Sequence, residues 1–204
     1  MLNFFFFKKS FQTYQGSFFQ FSSKFTQNAK IKHLNSKTVQ TATIKPNLTH
    51  VDSTGKAKMV DISHKAPSFR CATAQGRVQL NKEAFKLVCE NKMSKGDVLQ
   101  VSRIAGIMGS KKTSELIPLC HQVPLTQVKV DLALDDANKS VVITVKASTL
   151  HNTGVEMEAL TGVSTCALTI YDMCKSAGQQ GMVVKDIKVV NKKGGKQGEV
   201  SFNN

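Results

Sequence analysis

Residues 127–147 read QVKVDLALDDANKSVVITVKA. Val128, Val130, Leu132 and Leu134 alternate with Gln127, Lys129, Asp131 and Ala133, the period of a strand buried on one face. Asp135-Asp136-Ala137-Asn138-Lys139 has turn chemistry. Val141, Ile143, Val145 and Ala147 then alternate on the way back. Two such runs around a polar turn predict a β-hairpin.

The flanking segments supply the rest of the fold. Towards the N-terminus, Phe69–Leu80 is short, mixed and broken by Gly76, and is predicted as a strand. Asn81 is placed to cap a helix carrying Ala84, Phe85, Leu87, Val88 and Cys89 on one face. Lys95-Gly96-Asp97 is a turn, after which Val98, Val101, Ile104, Ala105 and Met108 recur at three and four and predict a second helix to about Lys112. Pro118 and Pro124 bracket Leu119-Cys120-His121 and exclude a regular helix there. Towards the C-terminus, residues 155–177 lack Pro, and Leu160, Val163, Ala167, Ile170, Tyr171 and Cys174 trace one helical stripe that Gly178 ends. Met182–Val190 alternates again and is predicted as the last strand. The order β-α(α)-β-β-α-β is the split-βαβ, ferredoxin-like arrangement: an α+β fold with helices on one face of an antiparallel sheet.

The chain has 204 residues, with 28 Lys+Arg against 14 Asp+Glu, a formal net charge of +14. Half of that excess belongs to residues 1–51, which hold seven Lys and no acid, the first acid being Asp52. Nine of the twelve Phe also lie before residue 26. An acid-free, hydroxyl-rich, basic segment has the composition of an organelle transit peptide, so residues 1–46 are expected to direct the chain to the mitochondrial matrix or to be a disordered tail. Residues 47–204 form the expected globular domain. No run of apolar residues is long enough to cross a membrane as a helix. Cys71, Cys89, Cys120, Cys166 and Cys174 are scattered, without CxxC, so neither a disulfide framework nor a zinc site is expected, and no metal or cofactor is called for.

Few residues could carry chemistry. Asp172 and Lys175 lie three apart on the long helix and share a face. An acid beside an amine can exchange protons with a substrate; the ordinary alternative is a surface ion pair. Glu156 and Glu158 begin the same helix, where acids also complement its dipole. His121 beside Cys120 sits in the proline-bracketed loop, a rigid place for a binding group. Lys95, Lys111, Lys112 and Lys196 add cations, Lys196 in the glycine-rich stretch Lys193-Gly194-Gly195-Lys196-Gln197-Gly198, which is read as a solvated tail that could also hold phosphate. Glu158 and Asp172 are fourteen residues apart. They fall within about 40° of one stripe but about 21 Å apart along the axis, so if both serve one small substrate a site shared between subunits is the simplest arrangement.

Several of these residues lie in longer motifs: Leu48-Thr49-His50-Val51-Asp52, Met59-Val60-Asp61-Ile62-Ser63, Lys95-Gly96-Asp97-Val98, Arg103-Ile104-Ala105-Gly106-Ile107, Leu116-Ile117-Pro118-Leu119-Cys120-His121, Gly154-Val155-Glu156-Met157-Glu158-Ala159-Leu160-Thr161 and Tyr171-Asp172-Met173-Cys174-Lys175. In this order, over about residues 47–200, they resemble the molybdenum cofactor biosynthesis protein C (MoaC) family, the cyclic pyranopterin monophosphate synthases. The resemblance implies a ferredoxin-like hexamer, a trimer of dimers with its site at a dimer interface. It implies a 3′,8-cyclo-7,8-dihydro-GTP substrate made by a separate radical-SAM enzyme, and release of diphosphate. It makes Asp172 catalytic with Lys175 assisting and Lys95 a further active-site lysine, and gives Leu119, Cys120, His121, Met157 and Glu158 to substrate binding. The competing reading is a basic nucleic-acid-binding module on the same sheet, but no Trp, two Tyr and no stacking-aromatic motif disfavour it.

Overall fold

The computed structural model describes residues 50–195 and 198–202. Its elements run Ser68–Gln79 (β1), Lys82–Cys89 (α1), Val98–Lys111 (α2), Thr113–Leu116 (α3), Gln127–Asp135 (β2), Ser140–His151 (β3), Glu156–Cys174 (α4), Val183–Lys193 (β4) and Glu199–Ser201 (β5). β2 and β3 form the expected hairpin, with Val130 opposite Val145 and Leu132 opposite Ile143. β1 lies between β3 and β4, antiparallel to both, and the sheet order is β2-β3-β1-β4-β5. Its first four strands are the ferredoxin-like arrangement read from the sequence.

Local signals set the helix ends. The Asn81 side-chain oxygen accepts from the Ala84 amide at 2.8 Å and starts α1; Asp97 accepts from the Gln100 amide at 3.0 Å and starts α2. The Asn81 amide group also donates to the Gly178 carbonyl at 2.6 Å, tying the start of α1 to the turn after α4. Gly178 takes φ +100°, a conformation that costs glycine little, and the chain leaves the helix there.

The core lies between one sheet face and α4. Val78, Ile143 and Val145 from the sheet meet Val163, Ala167 and Ile170 from the helix, all with no exposed surface. Each fully buried branched side chain contributes about 1.5–3 kcal/mol. α2 crosses α4 closely because the crossing is lined by glycine. A methyl group on Gly162 would stand 2.9 Å from Val145 Cγ1 and 3.2 Å from the Gly106 carbonyl oxygen. The helices therefore pack nearly backbone to backbone at that point.

Two readings are corrected. Met182–Val190 is not the last strand, and the glycine-rich stretch is not a solvated tail. β4 continues to Lys193, the Gly194 amide donates to the Gly198 carbonyl at 2.9 Å, and β5 pairs with β4, Asn191 facing Ser201. Gly194, Gly195 and Gly198 all have positive φ, so the glycines make a turn. A three-residue strand has no period to reveal it in sequence. The single turn α3 escaped notice for the same reason.

Candidate active site

α4 carries charged chemistry at both ends. At its C-terminal end, Asp172 is bracketed by two ammonium groups. Lys175 Nζ donates to Oδ1 at 2.7 Å, and Lys95 Nζ donates to Oδ2 at 2.7 Å. Lys95 also donates to the Asp172 main-chain carbonyl at 3.0 Å. It comes from the turn before α2, where Gly96 at φ +92° reverses the chain. A cation at this position complements the free carbonyls of the helix end. The hydrogen bond from Lys175, then that from Lys95, hold the Asp172 carboxyl down at about 2. Asp172 in turn pushes the Lys175 ammonium up. This group is open to solvent.

The opposite end differs. Glu158, in the first turn of α4, is 5% exposed. Burial pushes its carboxyl up, and the neighbouring Glu156 charge adds to the effect. Glu158 borders a small cavity of about 280 Å³, with Ser110, Lys111, Thr113 and Gln122 among its walls. The buried Ser110 hydroxyl has no hydrogen-bond partner among the described residues. Cys120 belongs to the same neighbourhood: its thiol is pushed up by burial and by the Glu158 charge. Leu119 and His121 are half-buried beside it, and Met157 is exposed on the helix surface. The His121 ring reaches back to the Val60 carbonyl, with Nε2 2.7 Å from the oxygen.

A third group was missed by the sequence reading. A cavity of about 860 Å³ is lined by His64, Arg70, Glu156, Lys192, Lys193 and Gly194 among others. Arg70 Nε is buried without a partner among the described residues, and Lys192 Nζ stands 3.5 Å from Glu156. Glu156 thus parts company with Glu158, because residues two apart on a helix point about 200° apart. The pieces come from three distant segments, so only the stretch Lys193-Gly194-Gly195-Lys196-Gln197-Gly198 hinted at the cavity.

Within one chain, then, Asp172, Lys175 and Lys95 come together, Glu158, Cys120 and Lys111 come together, and Glu156 joins Arg70 and Lys192. Lys112 is paired with Glu115 at 3.0 Å on the surface. Lys196 lies outside the described residues. The Glu158 and Asp172 groups sit at opposite ends of one continuous helix, about 21 Å apart along its axis.

Comparison with known proteins places this arrangement. The MoaC family model matches residues 59–195. A cyclic pyranopterin monophosphate synthase of Clostridium perfringens is 50% identical over 155 residues, 76% of this chain and 98% of its own. One of Heliobacterium modesticaldum is 52% identical over 151 residues, 74% of this chain and 94% of its own. One of Thermomicrobium roseum is 48% identical over 151 residues, 74% of this chain and 90% of its own. These bacterial relatives correct the expectation of a mitochondrial transit peptide. Their length is accounted for almost wholly by the matched segment, and they lend residues 1–46, which lie outside the described residues, no targeting role. On the strength of the match over residues 59–195 and of relatives at about half identity, the chain belongs to the MoaC family.

Proposed function

We propose that this enzyme is a cyclic pyranopterin monophosphate synthase acting in molybdenum cofactor biosynthesis. It converts 3′,8-cyclo-7,8-dihydro-GTP to cyclic pyranopterin monophosphate and releases diphosphate, the work of a phosphorus–oxygen lyase. The observation that carries this reading is Asp172 held between Lys175 and Lys95, inside the motif Tyr171-Asp172-Met173-Cys174-Lys175.

Closing the cyclic phosphate needs a sugar hydroxyl to attack the α-phosphorus. The hydroxyl proton must leave, and the bond to diphosphate breaks. In the free chain the two ammonium groups make Asp172 too weak a base for that proton. A triphosphate drawing one lysine away as its counter-ion lets the carboxyl rise towards ordinary values, and Asp172 then takes the hydroxyl proton while Lys175 gives one to the leaving diphosphate oxygen. Lys95 stays as the phosphate's cation. Arg70, Lys192 and Lys193 in the larger cavity suit the remaining phosphate charge. Glu158, with Cys120, His121 and the backbone of Leu119 and Met157, suits the polar edge of the purine. Lys111, on the wall of the smaller cavity, is a further candidate cation for phosphate or product, and Lys112 and Lys196 are candidates from sequence alone.

The resemblance to the family implies a hexamer, a trimer of dimers, and the distance between the two ends of α4 supports a site shared between subunits. The Asp172 group of one subunit would then complete the Glu158 group of another. A separate radical-SAM enzyme supplies the cyclised nucleotide, and neither nucleic acid nor a membrane is a partner. Residues 47–204 are the catalytic domain, and residues 1–46 are dispensable for turnover. The nucleic-acid-binding alternative gains no support from relatives named as synthases. Incubating the purified protein with the cyclised GTP intermediate should yield diphosphate and the pyranopterin product together; absence of both overturns the reading.

A further inference from the structure

A strap without regular secondary structure, residues 58–62, lies between His121 and Asn152. Two side chains fasten it at alternate carbonyls. His121 Nε2 lies 2.7 Å from the Val60 carbonyl oxygen, and Asn152 Nδ2 donates to the Ile62 carbonyl oxygen at 3.2 Å. A carbonyl oxygen can only accept, so Nε2 must carry the hydrogen. In the neutral ring this leaves the proton off Nδ1; no hydrogen bond to Nδ1 is found among the described residues, though the Asp61 carboxylate is near enough to feel the ring. Asn152 lies at the rim of the large cavity, so the strap that orients the ring is itself held from the phosphate side.

We propose that His121 acts on its ligand through Nδ1, and that the Val60 carbonyl and Asn152 are positioning groups that dictate which ring nitrogen is free. This rests on the synthase reading for the identity of the ligand, a purine nucleotide whose donor groups Nδ1 would meet. The tautomer itself does not depend on that reading.

Spectra of the full chain carrying ¹⁵N-labelled histidine, taken where the ring is neutral, should show His121 protonated at Nε2 and bare at Nδ1. A His121 signal with the proton on Nδ1 overturns the inference whether or not the protein turns over substrate. Asn152→Ala should let both tautomers appear; an unchanged tautomer strikes Asn152 from the positioning role. His121→Gln places an amide N–H where Nε2 stood and can still hold Val60, but lacks Nδ1. It should keep the wild-type melting temperature and lose at least ~10²-fold in kcat on the cyclised nucleotide. His121→Asn reaches the Nδ1 position only and should melt lower. Near-normal turnover by His121→Gln would show that the ring merely fastens the strap. Failure of the wild-type chain to turn over the nucleotide, with the Nε2–H tautomer present, overturns the synthase reading and leaves the tautomer assignment standing.

Discussion

The two ends of α4 carry carboxyl groups in opposite states. Asp172 is more than half exposed and is held at about 2 by two lysines. Glu158 is almost wholly buried and is pushed the other way. Nothing intrinsic separates the side chains; their ordinary values differ by less than one unit. What separates them is that Asp172 meets cations in solvent, whereas Glu158 is buried, beside a Ser110 hydroxyl that has no partner among the described residues. A single helix thus carries at one end a carboxyl whose ionised form is favoured and at the other one whose ionisation burial opposes.

The strongest way to break this contrast is to remove the anion. Asp172→Asn keeps the shape, and turnover measured as diphosphate release should fall by at least ~10²-fold, the lower end for lost acid–base work. The melting temperature should barely move, because the group is exposed. Mixing Asp172→Ala chains with His121→Asn chains should restore part of the activity if the two ends of α4 serve one site from different subunits. No recovery in verified mixed oligomers would mean that each chain works alone.

A second test loads the phosphate side. Lys192→Ala should raise KM about 10–100-fold, the equivalent of a charge-assisted hydrogen bond of ~1.5–3 kcal/mol, with a smaller change in kcat. A fall in kcat alone would move Lys192 from binding to chemistry. The helix between the two ends can be tested too. Gly162→Ala forces a methyl into the crossing with α2 and should cost about 1–3 kcal/mol, read as a denaturant midpoint shifted down at constant slope.

The smallest effect sharpens the contrast by pH. Because the Glu158 carboxyl is raised in the folded chain, ionising it opposes folding. Its favourable state is fully present below the ordinary value of 4.5 and lost as pH rises through the folded value. Glu158→Gln should therefore raise the melting temperature at neutral pH. The gain should vanish in acid. Asp172 runs the opposite way: its folded value is depressed, so its contribution holds above the ordinary carboxylate range and is lost as pH falls towards about 2.

Much of this scaffold is written locally. The alternation around residues 127–147, the Asn81 cap and the stripe on α4 each depend on residues within a few positions of one another, and all reappear in the fold. The Asp172–Lys175 pair was legible for the same reason, being one helical turn apart. Its third member was not: Lys95 reaches Asp172 across 77 positions of sequence. Only the likeness to a family pointed to it. The cavity around Arg70 and Lys192 joins segments from three parts of the chain, and β5 is too short to show a period. Interactions that close long loops leave no mark in local spacing.

The central place of β1 has a consequence for how the chain comes to be folded. β1 is made first of all the strands, yet both its neighbours, β3 and β4, are encoded later, with β4 beginning at Val183. At synthesis rates of about 5–20 residues per second, the roughly 100 residues between β1 and β4 take on the order of 5–20 s to emerge. Through that interval one edge of β1 stands open, a template for pairing with other chains. Long-range pairing of this kind slows folding, so the sheet closes only when its C-terminal strand arrives. A chain interrupted before Val183 leaves the middle strand of the sheet as an edge, and its expected fate is aggregation.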